Sequence, residues 1–286
     1  MKIAILQTSY SENVNEKLRN MVGEASKNGA ELVLLKELHQ SPYFPITENP
    51  ENFDFANNFE SDLEFWSDVA KRNSVVLVTS LFEKRAEGLY HNTAFVFEKD
   101  GTLAGKYRKM HIPDDPAFYE KFYFTEGDLG FNPIQTSVGK LGVLICWDQW
   151  YPEPARLMAM AGAEILIYPT AIGWLDEEPK EERESQKRRW RKIQESHAIA
   201  NGIPVVAINR VGFESDPSKN FNGITFWGGS FLVDARGEEI VSGSESEEII
   251  YGEVDKKESD EVRRMWPFFR DRRISEYGDL NRRWRD

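Results

Sequence analysis

Apolar and polar positions along this chain fall into two rhythms. Residues 2–8 and 31–35 are short, β-branched or leucine-rich runs that predict strands. Residues 13–27 between them carry apolar side chains at the 3.6-residue spacing of a helix. The order then returns, with a helix over 62–73 and a strand over 74–82. Strands over 93–98 and 102–108 flank Lys99-Asp100-Gly101, whose Asp-Gly pair predicts a hairpin turn. A buried strand over 141–145 leads into a helix over 154–161. Strands over 165–168 and 205–209 bracket a long charged helix at about 181–200, and strands over 226–234 and 248–254 complete the pattern. Helices alternating with strands, together with hairpins, point to an α/β or mixed layered fold.

A weak internal echo refines this picture. Gly29-Ala30-Glu31-Leu32-Val33-Leu34 resembles Gly162-Ala163-Glu164-Ile165-Leu166-Ile167, and Asn201-Gly202-Ile203-Pro204-Val205-Val206 repeats the logic. In each, glycine ends a helix and a buried strand follows. Two similar halves are therefore expected within one compact domain over 1–255, with residues 256–286 as a C-terminal arm. The arm carries ten Lys/Arg against seven Asp/Glu and is rich in aromatics, including Trp266, Phe268, Phe269, Tyr277 and Trp284. An RNA-binding tail is one reading of that composition. The formal charge of −12 for the whole chain favours an arm packed on its own or a neighbouring subunit.

Composition narrows the class. The 286 residues are 40% hydrophobic and 29% charged, within the range of globular proteins. No apolar run approaches the roughly twenty residues that a bilayer-spanning helix needs. The N-terminal Met1-Lys2-Ile3-Ala4-Ile5-Leu6-Gln7 reads as a strand without a signal-peptide core, so a cytoplasmic protein with no membrane or nucleic-acid partner is expected. With a single cysteine the chain can form no internal disulfide and no Cys-based zinc cluster, and no metal or cofactor is expected.

That cysteine, Cys146, follows the buried run Leu141-Gly142-Val143-Leu144-Ile145 and precedes Trp147-Asp148-Gln149-Trp150-Tyr151-Pro152. On a strand-to-helix turn a thiol lies close to helix-terminal amides that favour a thiolate and bind an oxyanion. A small buried hydrophobe is the competing reading. A nucleophile needs a base and an electrophilic partner. The four histidines (His39, His91, His111, His197) show no cysteine-protease setting. Glu37, just past a strand end, and Lys109, at the end of the strand over 102–108, are better placed. Taken singly, each also reads as an ordinary solvated charge.

The combination closely resembles the nitrilase, or carbon-nitrogen hydrolase, superfamily. The resemblance rests on Leu34-Leu35-Lys36-Glu37, Tyr107-Arg108-Lys109-Met110-His111-Ile112-Pro113 and Leu144-Ile145-Cys146-Trp147-Asp148. Asp114-Asp115-Pro116, Phe118-Tyr119-Glu120-Lys121-Phe122-Tyr123-Phe124, Gly127-Asp128, Tyr168-Pro169-Thr170-Ala171-Ile172-Gly173 and Trp266-Pro267-Phe268-Phe269-Arg270 look like its N-carbamoylputrescine amidohydrolase branch. The resemblance implies a four-layer α-β-β-α sandwich, usually assembled as a homodimer or larger homo-oligomer. It also implies hydrolysis of N-carbamoylputrescine to putrescine, ammonia and carbon dioxide through a covalent thioester. By the same resemblance Cys146 is the nucleophile, Glu37 the base, Lys109 and the backbone N–H of Trp147 the oxyanion donors, and Glu120 the group that orients the lysine. A lysine ammonium beside the thiol is expected to lower its pKa.

A cationic substrate tail calls for a carboxylate and an aromatic wall. Asp176, Glu177 and Glu178, with Tyr43, Phe44, Trp147 and Trp174, are the candidates, although the acids equally suit the N-terminus of the following helix. Here the sequence departs from the branch's plant-like members, which carry a Ser-Glu-Pro run after Ile-Gly. A β-ureidopropionase-like or ω-amidase-like enzyme is the nearby alternative, for which Arg210 or the basic residues 187–191 would matter. A non-catalytic scaffold relative is a further one, disfavoured by the intact Glu37, Lys109 and Cys146.

Overall fold

The computed structural model describes residues 1–285. Its first half runs β1 (Lys2–Gln7), α1 (Val14–Lys27), β2 (Leu32–Leu35), α2 (Phe59–Asn73), β3 (Val76–Ala86), β4 (Leu89–Phe97) and β5 (Leu103–Arg108), followed by a small ribbon of β6 (Asp114–Asp115) and β7 (Phe118–Tyr119). The second half runs β8 (Ile134–Thr136), β9 (Gly139–Val143), α3 (Pro152–Met160), β10 (Ile165–Pro169), β11 (Gly173–Leu175), α4 (Lys180–Asn201) and β12 (Val205–Ile208). The strands β13 (Val211–Ser215), β14 (Gly223–Trp227), β15 (Phe231–Val233), β16 (Glu239–Ser242) and β17 (Glu248–Glu253) come next, and α5 (Lys256–Met265) closes the series.

These elements build two six-stranded sheets, ordered β17-β1-β2-β3-β4-β5 and β16-β15-β12-β10-β9-β8. Each has three parallel strands at its centre, β1-β2-β3 in one and β9-β10-β12 in the other, with antiparallel strands outside. The internal echo in the sequence marks this symmetry, because β2 and β10 are central strands of the two sheets. Gly29 and Gly162 before them have φ of +82° and +90°, a region that favours glycine.

Strict alternation along the strands sorts side chains into layers. Ile3, Ile5, Leu32, Leu34, Val76 and Val78 point into the core shared with the second sheet. Ala4, Leu6, Val33, Leu35 and Leu77 point the other way, onto α1 and α2. The α1 stripe Val14, Leu18, Val22 and Ala25 recurs every three or four residues, so one face of that helix is buried. On the far side α3 and α4 cover the second sheet through Ala155, Met158, Trp190 and Ala198. The result is the α-β-β-α sandwich.

One local expectation changes. The strand expected over 226–234 is two strands, β14 and β15, because Gly228 and Gly229 adopt φ of +57° and +61° and turn the chain between sheets. β14 instead joins β11 and β13 in a separate three-stranded sheet beside the site. The C-terminal arm begins as α5 and folds back on its own chain. Arg263 Nε donates to Asn201 O at 3.0 Å, and the Arg156 and Arg263 guanidinium groups both stack on Phe269. Met265, Trp266, Ile274, Leu280 and Trp284 of the arm stay exposed. Among the described residues, no helix is long and apolar enough to cross a membrane.

Candidate active site

Strand ends from both sheets converge on one buried cluster. Glu37 lies just beyond β2, Lys109 directly after β5, and Cys146 shortly after β9. Lys109 Nζ donates to Glu37 Oε1 at 2.8 Å and to Glu120 Oε2 at 2.5 Å, with all three side chains removed from solvent. An ammonium carries three donors, so these two bonds leave one N–H for another partner. Glu37 Oε1 also accepts from Asn92 Nδ2 at 2.7 Å, and its Oε2 accepts from the Ala171 backbone N–H at 2.8 Å. Glu120 Oε1 accepts from the Tyr43 hydroxyl at 2.8 Å. Each carboxylate is thus tethered at both oxygens.

The backbone beneath these groups is equally constrained. Lys109 N donates to Asn92 O at 2.9 Å, and Gly127 N donates to Lys109 O at 2.8 Å. Gly127 must lack a side chain, because a Cβ there would lie 2.1 Å from Arg108 O. The turn after Glu37, where Leu38 has φ +45°, is pinned by buried Arg210, whose Nη2 donates to Leu38 O at 2.9 Å.

Cys146 opens a single 3-10 turn over Cys146–Trp150 with φ +42°, a left-handed conformation that costs a non-glycine residue about 1–2 kcal/mol. Asp148 holds it there. Its fully buried carboxylate accepts from Ile145 N (3.0 Å), Tyr107 Oη (2.8 Å), His111 N (3.0 Å) and His111 Nδ1 (2.7 Å). Gln149 ties the same turn to α4, its backbone oxygen accepting from His197 Nε2 at 2.8 Å and its side chain from Trp190 Nε1 at 2.9 Å. His197 is therefore a support of the turn.

The lysine acts on the thiol in the direction expected from sequence, but burial outweighs it. Burial pushes the Cys146 thiol well above its ordinary value, the Glu37 charge adds to this, and the opposing pull of Lys109 is weaker. Burial alone would lower Lys109, but the Glu120 and Glu37 carboxylates outweigh it and hold the lysine above its ordinary value. Glu120 is pushed up by burial and by Glu37 against the pull of Lys109. The resting arrangement is a neutral thiol beside a charged lysine.

Beside this cluster opens a cavity of about 440 Å³ whose wall includes Cys146, Glu120, Trp147, Trp150, Ile172 and Trp227. The expected tail-binding residues divide. Glu178 lies on the wall, its Oε1 accepting from Gln186 Nε2 at 2.5 Å and its Oε2 from Leu175 N at 2.9 Å. Asp176 and Glu177 do not, because they face the neighbouring hairpin. Asp176 Oδ1 accepts from Thr225 Oγ1 at 2.8 Å, and Glu177 Oε1 from Asn222 N at 2.9 Å. Tyr43 stands behind Glu120, and Trp174 packs behind Trp227 with ring centroids 5.3 Å apart. Arg210 is buried against Glu214 and is not on the wall. Arg189, from the basic run 187–191, is on the wall, as are Asp115 of Asp114-Asp115-Pro116 and Glu182, two acids that no sequence signal separates from ordinary surface charges.

The family of carbon-nitrogen hydrolases matches residues 2–264. A carbon-nitrogen hydrolase from Helicobacter pylori, known from its crystal structure, is 56% identical, with a TM-score of 0.98 over 100% of this chain and 99% of its own. A citrullinase from Francisella tularensis is 38% identical over 99% of both chains. An N-carbamoylputrescine amidase from Oryza sativa is 40% identical over 93% of this chain and 88% of its own. The chain belongs to the carbon-nitrogen hydrolase (nitrilase) superfamily, in its N-carbamoylputrescine amidohydrolase branch, and is an amidohydrolase.

Proposed function

We propose that the protein hydrolyses the ureido group of N-carbamoylputrescine, releasing putrescine, ammonia and carbon dioxide, with Cys146, Glu37, Lys109 and Glu120 as the catalytic set. Glu37 takes the thiol proton as sulfur attacks the ureido carbonyl, so the neutral resting thiol is activated only when the electrophile is in place. The developing oxyanion meets the one N–H that Lys109 leaves free and the backbone N–H of Trp147. That amide lies at the start of a helical turn, where it has no partner within the turn. Collapse passes the proton from Glu37 to the departing ammonia and leaves an N-substituted carbamoyl thioester on Cys146. Glu37 next deprotonates a water that attacks this thioester and returns that proton to the thiolate. The released carbamic acid loses carbon dioxide to free the amine. Glu120, held by Tyr43, fixes the Lys109 ammonium against Glu37.

The observation that carries the choice of substrate is the charge of the cavity mouth, where Asp115, Glu178 and Glu182 face a single cation, Arg189. A cationic tail suits that balance, and the Trp147, Trp150 and Trp227 rings supply the apolar wall for its methylene chain. The relatives named for N-carbamoylputrescine and for citrulline support a ureido substrate, since both namesakes end in that group. The exposed apolar side chains of residues 265–284 suit burial against a second copy of the chain. Ammonia release from N-carbamoylputrescine, N-carbamoyl-β-alanine and glutarate monoamide, compared in parallel, tests the substrate assignment. Preference for the first is expected, and preference for either anionic substrate contradicts it.

A further inference from the structure

The first three turns of α4 place Glu182, Gln186 and Arg189 along one helix face, at i, i+4 and i+7, and all three line the cavity that holds Cys146. Their orientation is tied to the nucleophile. Trp190, next in sequence, is buried and bonded to Gln149, in the same helical turn as Cys146, so α4 cannot rotate independently of that turn. Arg189 Nη2 pairs with Glu182 Oε1 and its Nε donates to Ser185 O at 3.3 Å, which leaves the Nη1 and second Nη2 donors at the outer edge of the guanidinium for a ligand, and both side chains keep about half their exposure. The other acid on this stretch of wall, Glu178, has both oxygens engaged by Leu175 N and Gln186.

A carboxylate and a guanidinium held side by side match a particular ligand end, one carbon bearing an ammonium and a carboxylate. Citrulline and N-carbamoylputrescine share the ureido group and the same carbon chain to the ammonium. They differ only in the carboxylate that citrulline carries on that last carbon. An acid alone would take the amine and repel the amino acid. The adjacent cation removes that penalty.

We propose that the Glu182–Arg189 pair is the specificity device of this site, with Arg189 admitting ureido substrates whose far end is an α-amino acid. The inference rests on the reading above that this cavity binds a ureido substrate. Glu182 receives the ammonium in both cases, and Arg189 receives the carboxylate through its planar fork, a geometry that a lysine cannot supply.

Steady-state kcat/KM values for citrulline and for N-carbamoylputrescine, in the wild type, Arg189→Ala and Glu182→Gln, test this. The readout is the ratio of the two constants, which general damage to folding or to the catalytic cluster would leave unmoved. The wild type is expected to hydrolyse both. Arg189→Ala is expected to lower the citrulline to N-carbamoylputrescine ratio by about tenfold or more, and Glu182→Gln to raise it. A ratio unchanged in Arg189→Ala, or no citrulline hydrolysis by an enzyme that turns over N-carbamoylputrescine, overturns the inference alone. Hydrolysis of neither substrate overturns the ureidohydrolase reading on which it rests.

Discussion

Replacing Asp148 by Asn removes one charge with almost no change of volume, and so isolates what this carboxylate does for the turn that carries Cys146. Oδ2 accepts from Ile145 N and Tyr107 Oη, and Oδ1 from His111 N and Nδ1. The tyrosine hydroxyl can rotate and the imidazole can change tautomer, so either could accommodate an amide NH2 group. The two backbone N–H groups cannot. Whichever way the introduced amide is oriented, its NH2 faces one of them and leaves a buried donor unpaired, at a cost of about 1–3 kcal/mol. With about 2–4 °C lost per kcal/mol in a domain somewhat smaller than this one, Tm should fall by about 4–8 °C for the middle of that range. Because the same carboxylate holds Ile145 N, it opposes relaxation of the strained φ at Cys146. kcat should therefore fall by at least tenfold under conditions where the variant is fully folded. Differential scanning calorimetry and ammonia-release kinetics on one preparation measure both. A variant with wild-type Tm and kcat within twofold would refute the reasoning.

Lys109→Ala should lower kcat by about 10²–10³-fold or more while the protein stays folded, because no other cation lies at the carbonyl position; near-normal turnover would remove Lys109 from the oxyanion. Gly127→Ala should cost about 1–3 kcal/mol and reduce activity, since its Cβ would collide with Arg108 O next to Lys109; unchanged denaturant unfolding and kinetics would contradict this. Glu83, held down to about 2 against its own burial by bonds from Arg108, Lys106 and Thr93, has a folded pKa below its unfolded value. Its contribution is therefore complete above about pH 4.5 and is lost as pH falls from there toward 2, and Glu83→Gln should flatten acid unfolding across that window. Removing residues 266–286 should reduce self-association in light scattering, and an unchanged oligomer would argue against an intersubunit arm.

Legibility followed sequence distance. The β1–α1–β2 and α4–β12 units were readable because each rests on local periodicity and a glycine stop. The Lys99-Asp100-Gly101 turn is also local, with Asp100 Oδ1 accepting from Thr102 N at 2.9 Å. The site trio lay in recognisable runs, but what holds it does not follow from local pattern. Glu37 depends on Asn92 and on Ala171, 55 and 134 residues away, and the turn after it depends on Arg210 across the sheets. Asp176 and Glu177 misled because three adjacent acids look alike in sequence. Only the β11–β14 pairing, which draws Thr225 to Asp176, and the close passage of Asn222 separate them from Glu178. The net shift of the thiol was hidden for a related reason, since the lysine that lowers it is visible in a sequence motif and the burial that outweighs the lysine is not.

In the proposed reaction Cys146 carries the carbon-nitrogen bond cleavage covalently. Acid-quenching the wild type during turnover of N-carbamoylputrescine and mapping its peptides by mass spectrometry tests this most directly. The expected result is a mass increase equal to substrate minus ammonia, confined to the peptide containing Cys146 and absent from Cys146→Ala, which should release no ammonia. Turnover by Cys146→Ala, or a modification on any other residue, would contradict the account.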